Sequence, residues 1–339
     1  MKIAIIGAGA IGSALGALLA RSGQDVTLVG RPAHVAAIRQ DGLRVDGCLR
    51  EFTVQVEAAE TLDFRPDLAL LTVKTQDVTV AVRDNLAYLT EVPLLTLQNG
   101  VRSDELVASL LPWPQILSAV VRLTATYLNP GRVTLLDQGT LIIGRPFGPR
   151  DVQVEEVACV LKGAVTTHVS DNIRGAHWLK LIVNLINALP ALTNYTMRQV
   201  SADPHLSRLG VGLMREGLRV TDQAGIQLES LPQMPASLIR LIGRLPMGLT
   251  ARMFAAMARR MESDWPIWGS TLQSIRRGRS TEIDYLNGEV VQLGKQVGVS
   301  TPLNAKVVEL VHGVERTEQF LSVNAIRQAM DEGSHNCRP

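Results

Sequence analysis

Residues 7–12 read Gly7-Ala8-Gly9-Ala10-Ile11-Gly12, a G-x-G-x-x-G hexapeptide set between the apolar run 2–6 and a segment with helical spacing, 10–21. A second β-rich run occupies 25–29. Strand, glycine turn, helix and strand within about 30 residues make a βαβ unit. In such a unit the first glycine permits the tight turn and the second lets a pyrophosphate approach the backbone. The third lets the helix pack on the strand, and the helix N-terminus faces the phosphates. Residues 7–12 are therefore a candidate dinucleotide site; the structural alternative is a glycine-rich packing corner.

The end of the second strand discriminates between dinucleotides. A site for NAD usually places Asp or Glu there for the ribose hydroxyls, whereas this chain has Gly30 and Arg31. A guanidinium pairs with a 2′-phosphate that a carboxylate would repel, so Arg31 points to NADP(H). The alternative is a solvated loop arginine before Pro32. Two later apolar runs, 68–73 and 94–97, end in Lys74 and in Gln98-Asn99-Gly100. Carboxyl ends of parallel strands face the cofactor crevice, which makes Lys74 and Asn99 candidates for its nicotinamide or substrate side. Taken singly, each also suits a strand-to-helix cap.

Alternating strands and helices predict an α/β fold: a Rossmann-like dinucleotide-binding domain with a parallel sheet over 1–170. Turn signals at 129–131 and 137–139 predict antiparallel strands between 120 and 144. From 171 to 330 the periodicity is helical, predicting an all-α substrate and catalytic domain, and 331–339 reads as a flexible tail. The chain has 339 residues, 46% hydrophobic and 19% charged, with a net charge of +2. That charge gives no case for a nucleic-acid partner. No apolar run reaches the roughly 20 residues of a membrane span. Three cysteines without CxxC spacing and six histidines without HxxxH or HExxH supply no metal framework and suit a reducing, cytoplasmic compartment.

The run 177–193 is apolar apart from Lys180, Asn184 and Asn187. Lys180 and Asn184, four apart, project from one helix face. A lysine there either snorkels to water or, held by a partner, serves as a general acid. The spacing predicts further helices over 264–277, carrying Ser270, and from a Thr281 cap to Gly298, with acids including Glu282 in its first turn. Thr301-Pro302 opens a last helix, and 228–247 reads as a helix connection.

Ser270-Thr271-Leu272-Gln273, followed by Thr281-Glu282-Ile283-Asp284-Tyr285 and Asn287-Gly288, resembles the ketopantoate reductase (2-dehydropantoate 2-reductase) family, as do the Lys180-x-x-x-Asn184 helix, Asn99-Gly100 and Lys74. The resemblance spans nearly the whole chain. It implies a Rossmann-like domain followed by an all-helical one, with the site between them, and NADPH-dependent reduction of a small 2-oxo acid, 2-dehydropantoate, to (R)-pantoate. It further implies that Lys180 is the general acid, with Asn184 and Ser270 holding substrate. Glu282 would position the substrate and keep Lys180 protonated, with Asn99 and Lys74 near the nicotinamide ribose and the substrate. An apolar helical domain is compatible with a homodimer.

Family members often continue the lysine helix as Asn-x-x-x-Asn-Pro, with the second amide on the substrate. Here the position four beyond Asn184 is Ala188, and Asn187 lies one residue early, about 100° round a helix. Gly269 stands where many members have serine. Lost substrate hydrogen bonds can change the accepted acid, so a reductase of another 2-oxo acid or ketone is the second reading. A non-catalytic NADP(H)-binding sensor is the third.

Overall fold

The computed structural model describes residues 1–127, 129–260 and 268–335. These form two compact units, Met1–His177 and Trp178–Pro339.

Within the first unit the strands are β1 (Lys2–Ile6), β2 (Asp25–Val29), β3 (Leu43–Gly47), β4 (Phe52–Val54), β5 (Glu57–Ala59), β6 (Leu68–Leu71), β7 (Leu94–Thr96), β8 (Ile116–Val121), β9 (Thr124–Thr126), β10 (Arg132–Asp137), β11 (Leu141–Gly144) and β12 (Thr167–Val169). The helices are α1 (Ala10–Arg21), α2 (Pro32–Asp41), α3 (Val78–Asp84), α4 (Leu86–Leu89), α5 (Ser103–Ala108) and α6 (Val152–Lys162). The main sheet runs β12-β11-β8-β7-β6-β1-β2-β5, parallel except for the β8–β11 pair. Side chains alternate across β1: Ile3 and Ile5 join a core with Leu15 and Leu19 of α1 and Val157 of α6. Ala4 and Ile6 face Val78 and Val82 of α3 and Val107 of α5. Both faces are covered, so these strands read as continuous apolar runs.

A second sheet, β4-β3-β10-β9, contains the expected antiparallel pairing in β9–β10 and adds β3 and β4 to it. Its β10 is antiparallel to β9 but parallel to β3, and Leu43, Val45, Val133 and Leu135 close the α1 side of the core. His34 of α2 ties this layer together. It lies 3.0 Å from Ser13 Oγ through Nε2, accepts from the Gly131 N–H at 2.9 Å, and meets Tyr127 edge-on. Burial lowers its pKa, which keeps the ring neutral and lets Nδ1 accept.

The second unit continues α7 (Ile173–Asn184) into α8 (Ala188–Thr193), α9 (Met197–Ala202), α10 (Pro204–Gln223), α11 (Ala236–Arg244), α12 (Met247–Arg260), α13 (Ser270–Ile275), α14 (Asn287–Val297), α15 (Pro302–Thr317) and α16 (Val323–His335). The expected continuous helix over 177–193 is interrupted by a 3₁₀ turn at Leu185–Asn187. Pro190 explains it: an α-helical path would need its missing N–H and would press its ring on the Ile186 carbonyl. The 228–247 connection contains α11. Helix α15 is followed by α16, in which Ile326 is fully buried and which runs on to His335; residues 336–339 of the expected tail lie outside the described residues. Helix α13 starts at Ser270; residues 264–267 of the expected helix lie outside the described residues.

Candidate active site

At the carboxyl end of β1 the chain turns through Gly7, at φ +112°, a conformation L side chains avoid. A Cβ at Gly7 would lie 2.5 Å from the Val73 nitrogen, and one at Gly12 2.5 Å from Thr72 Oγ1. Thr72 locks this crossing by donating to the Gly7 carbonyl at 2.7 Å. The Gly7 and Ala8 N–H groups both donate to the Val29 carbonyl, at 2.9 and 2.8 Å, fastening the turn to β2. Gly9, the N-cap of α1, is different: a Cβ there meets nothing nearer than 4.0 Å. No side chain caps α1, and its first turn stands half-open at Gly9, Ala10 and Ile11. Uncapped N–H groups beside open space are what a pyrophosphate needs, so the turn fits a dinucleotide.

At the end of β2, Gly30 is packed so closely on the glycine turn that a Cβ would lie 2.7 Å from the Ala8 Cβ. Arg31 follows as the exposed N-cap of α2. The other nearby arginines are engaged: Arg39 donates to the Ala58 carbonyl at 2.8 Å, and Arg44 pairs with Glu51. Lys74 caps the turn after β6 and is half-buried, as is Asn99 after β7. Thr75 Oγ1 donates to the Asn99 carbonyl at 3.2 Å, and Gln98 Nε2 to the carbonyls of Leu71 and Val73 at 2.8 and 3.1 Å. Since β7, β6, β1 and β2 are consecutive parallel strands, residues 7–12, Arg31, Lys74 and Asn99 share one rim of one sheet.

The apolar patterning gave no sign of a buried polar chain behind that rim. Asp104 of α5 accepts from Thr96 Oγ1 at 2.5 Å and from Ser118 Oγ at 2.8 Å; Ser118 Oγ in turn lies 2.8 Å from His177 Nε2. Burial pushes the Asp104 carboxyl up to about 6 from its ordinary 3.8, against the pull of the two hydroxyls. With Asp104 ionised, Ser118 spends its proton on the carboxylate and accepts from His177 Nε2–H.

In the second unit, Lys180, Asn184 and Asn187 are half-buried on a run that otherwise buries Leu179, Leu181, Ile182, Leu185 and Ile186. The 3₁₀ turn carries Asn187 beneath Gly269: a Cβ at Gly269 would meet the Asn187 carbonyl oxygen at 3.2 Å and its Oδ1 at 3.4 Å. The two departures from the family pattern are thus neighbours, the small residue sitting against the Asn187 backbone carbonyl. Gly269 is the N-cap of α13, whose first residue, Ser270, is exposed. Arg276 fastens the far end of α13, donating to Asn194 Oδ1 at 2.6 Å and lying 3.7 Å over the Trp268 ring.

Thr281 does not open an α-helix. Its Oγ1 accepts from the Ile283 N–H at 3.2 Å, a 3₁₀ turn follows at Ile283–Tyr285, and α14 begins only at Asn287. The Thr281 N–H donates far along the chain, to Glu315 of α15 at 2.7 Å. His312 of α15 bridges Glu315 and Asp284, at 2.7 and 3.0 Å. Burial disfavours charge on His312, but the hydrogen bonds to Asp284 and Glu315 outweigh it and raise its pKa. Half-buried Glu282 sits inside this clamp. A buried hub joins it to the lysine helix: Asn287 Nδ2 donates to the Leu185 carbonyl at 3.3 Å and to Asn304 Oδ1 at 2.9 Å, and Asn304 Nδ2 donates to Glu216 at 2.7 Å. Glu216 also accepts the Leu303 and Asn304 N–H groups, both at 2.9 Å, capping α15. Among the described residues no three His, Cys, Asp or Glu gather as a metal site, and no helix is long and apolar enough to cross a membrane.

Comparison with known proteins matches both halves. The family described as "Ketopantoate reductase PanE/ApbA" matches residues 3–147, and "Ketopantoate reductase PanE/ApbA C terminal" matches 172–315. A 2-dehydropantoate 2-reductase of Pyrococcus abyssi is 32% identical over 94% of this chain and 99% of its own. The crystal structure of a PanE/ApbA family ketopantoate reductase from Ralstonia eutropha JMP134 aligns with a TM-score of 0.78 at 32% identity, covering 94% of this chain and all of that one. D-mandelate dehydrogenase, solved with NADH and anilino(oxo)acetate, aligns with a TM-score of 0.81 at 26% identity, over 94% and 99%. A Rossmann-like sheet unit with this glycine turn, a helical unit with the Lys180, Ser270 and Glu282 segments, and near full-length similarity lead to one assignment: the chain belongs to the ketopantoate reductase family.

Proposed function

We propose that this oxidoreductase reduces 2-dehydropantoate to (R)-pantoate with NADPH. The observation that carries the reading is the buried Asn287–Leu185 link, which fixes the Glu282 segment against the end of the helix bearing Lys180 and Asn184. The Gly7–Gly12 turn would hold the pyrophosphate, Arg31 the 2′-phosphate, and Lys74 and Asn99 the nicotinamide ribose side. Bound there, the nicotinamide supplies a hydride to the carbonyl carbon. Lys180 gives its proton to the ketone oxygen as negative charge develops on it. Asn184 and Ser270 hydrogen-bond the substrate, and the Glu282 carboxylate orients it and keeps Lys180 protonated. We further read the enzyme as a cytoplasmic homodimer.

The test is NADPH oxidation across 2-dehydropantoate and a panel of 2-oxo acids. Turnover of 2-dehydropantoate with the highest kcat/KM is the expected result; turnover of another acid with none of this one removes the substrate and leaves the reductase. One contact favours a second reading. Asn187 packed on Gly269 replaces two polar groups with a different arrangement, and the relative acting on D-mandelate aligns over nearly the full length. Phenylglyoxylate, the 2-oxo acid corresponding to mandelate, belongs in the panel for that reason, assayed with both NADPH and NADH.

A further inference from the structure

The helical unit holds a cleft of about 470 Å³ that includes none of Lys180, Asn184, Ser270 or Glu282. Two close helix approaches build it. A Cβ at Gly243 of α11 would press on Leu218 Cδ1 of α10, and one at Gly212 would lie 2.6 Å from Leu303 Cδ1 at the start of α15. Packed this closely, α10 presents Arg215 and Arg219 and α11 presents Arg240 and Arg244 to the same space. Each pair is spaced i, i+4, so each helix carries a like-charged pair on one face, an arrangement that costs stability without a counter-charge.

The acids lining the cleft supply it only in part. Asp222 pairs with Arg240 at 2.5 Å, and both Glu216 oxygens are taken by the α15 cap and Asn304. Arg215 donates through Nη2 to the Leu245 carbonyl, while its Nε is buried without a partner. Arg219 and Arg244 make no hydrogen bond or ion pair among the described residues. Two uncommitted guanidiniums and an orphaned buried donor converge on a cleft whose remaining wall is Leu218, Met247 and Leu303. Its volume falls in the range of small-molecule sites. Guanidiniums in facing pairs suit a tetrahedral oxyanion, and the apolar wall suits an organic group attached to it.

We propose that this cleft is a second ligand site, separate from the dinucleotide turn, for a small phosphate monoester held by Arg219 and Arg244. Calorimetric titration of the full chain with inorganic phosphate and with phenyl phosphate, combined with amide hydrogen exchange, tests it. Phenyl phosphate is expected to bind about tenfold more tightly than phosphate, from burial of the ring. Protection should fall on α10 and α11. The double variant Arg219→Gln/Arg244→Gln, at exposed positions and therefore folded, should weaken binding about 10- to 100-fold. Arg31→Ala should leave the α10–α11 protection unchanged, whatever the cofactor proves to be. The absence of saturable binding, protection confined to the first turn of α1, or undiminished binding in the double variant would each overturn the site.

Discussion

Position 30 admits no side chain, because a Cβ there would lie 2.7 Å from the Ala8 Cβ of the glycine turn. The carboxylate that reads ribose hydroxyls in many dinucleotide sites has no place to start from at this residue. Arg31, one residue on and exposed, is left as the charged group at the strand end, and Arg39 and Arg44 are held by other partners. Replacing Arg31 with Ala should raise KM for NADPH about 10- to 100-fold, the worth of a charge-assisted bidentate pair. KM for NADH should change by less than about threefold, since NADH lacks the 2′-phosphate. Equal increases for both would take the 2′-phosphate away from Arg31. Lys180→Ala is expected to lower kcat about 10²- to 10⁴-fold with cofactor Kd unchanged. Pre-steady-state turnover with fluorescence titration of the cofactor separates the two terms, and a variant with parental kcat would strip Lys180 of its acid role.

Among the elements, the turn at Leu185–Asn187 and the Asn287 hub do the positioning. Helix α7 ends at Asn184, ahead of the 3₁₀ turn that precedes Pro190, and the Leu185 carbonyl in that turn accepts from Asn287. Asn287→Ala should therefore cost about 1–3 kcal/mol in urea unfolding, because the carbonyl and Asn304 Oδ1 stay buried without their donor. Asp284→Asn removes an exposed partner of His312 and should cost less than about 1 kcal/mol. Similar losses in both variants would contradict the central place given to the hub. The contrast also marks what a reader of the sequence could see. Strands β1, β2, β6 and β7 and the glycine turn were legible because buried parallel strands are unbroken apolar runs with ligands at their ends. Strands β3 to β5 were not: they are short and in part polar, and β3 pairs with β10 nearly 90 residues away. Pro190 was in plain view as a breaker, yet the apolar run around it argued for one helix. Thr281 has every local mark of an N-cap, and nothing local announces the 3₁₀ turn that follows it or its bond to Glu315, 34 residues on. For the same reason the family-derived residues, Asn287 among them, could be named from the sequence, while the hub that Asn287 forms with Asn304 and Glu216 in the second unit could not.

For the molecule as a whole, the buried chain Thr96–Asp104–Ser118–His177 ties stability to pH with a definite sign. Asp104 in the folded chain titrates at about 6, above its ordinary 3.8, because burial penalises the carboxylate more than Thr96 and Ser118 stabilise it. Between those values the folded state holds a proton that the unfolded state has released. The stability Asp104 contributes is therefore present in full below about pH 4 and lost as pH rises through about 6. A displacement of this size corresponds to about 3 kcal/mol across the window. Asp104→Asn keeps the shape and accepts a hydrogen bond without ionising, so it should lose this dependence. Amide exchange of β7 and β8 reads the first unit alone, which avoids mixing two unfolding transitions. The variant should gain on the parent by about 3 kcal/mol between pH 4 and pH 8, and the other titrating groups cancel in the difference. A variant-minus-parent difference that stays flat across that range would mean the carboxylate is as well solvated in the fold as in water. The buried position of Asp104 and the 2.8 Å Ser118–His177 contact it supports argue against that outcome.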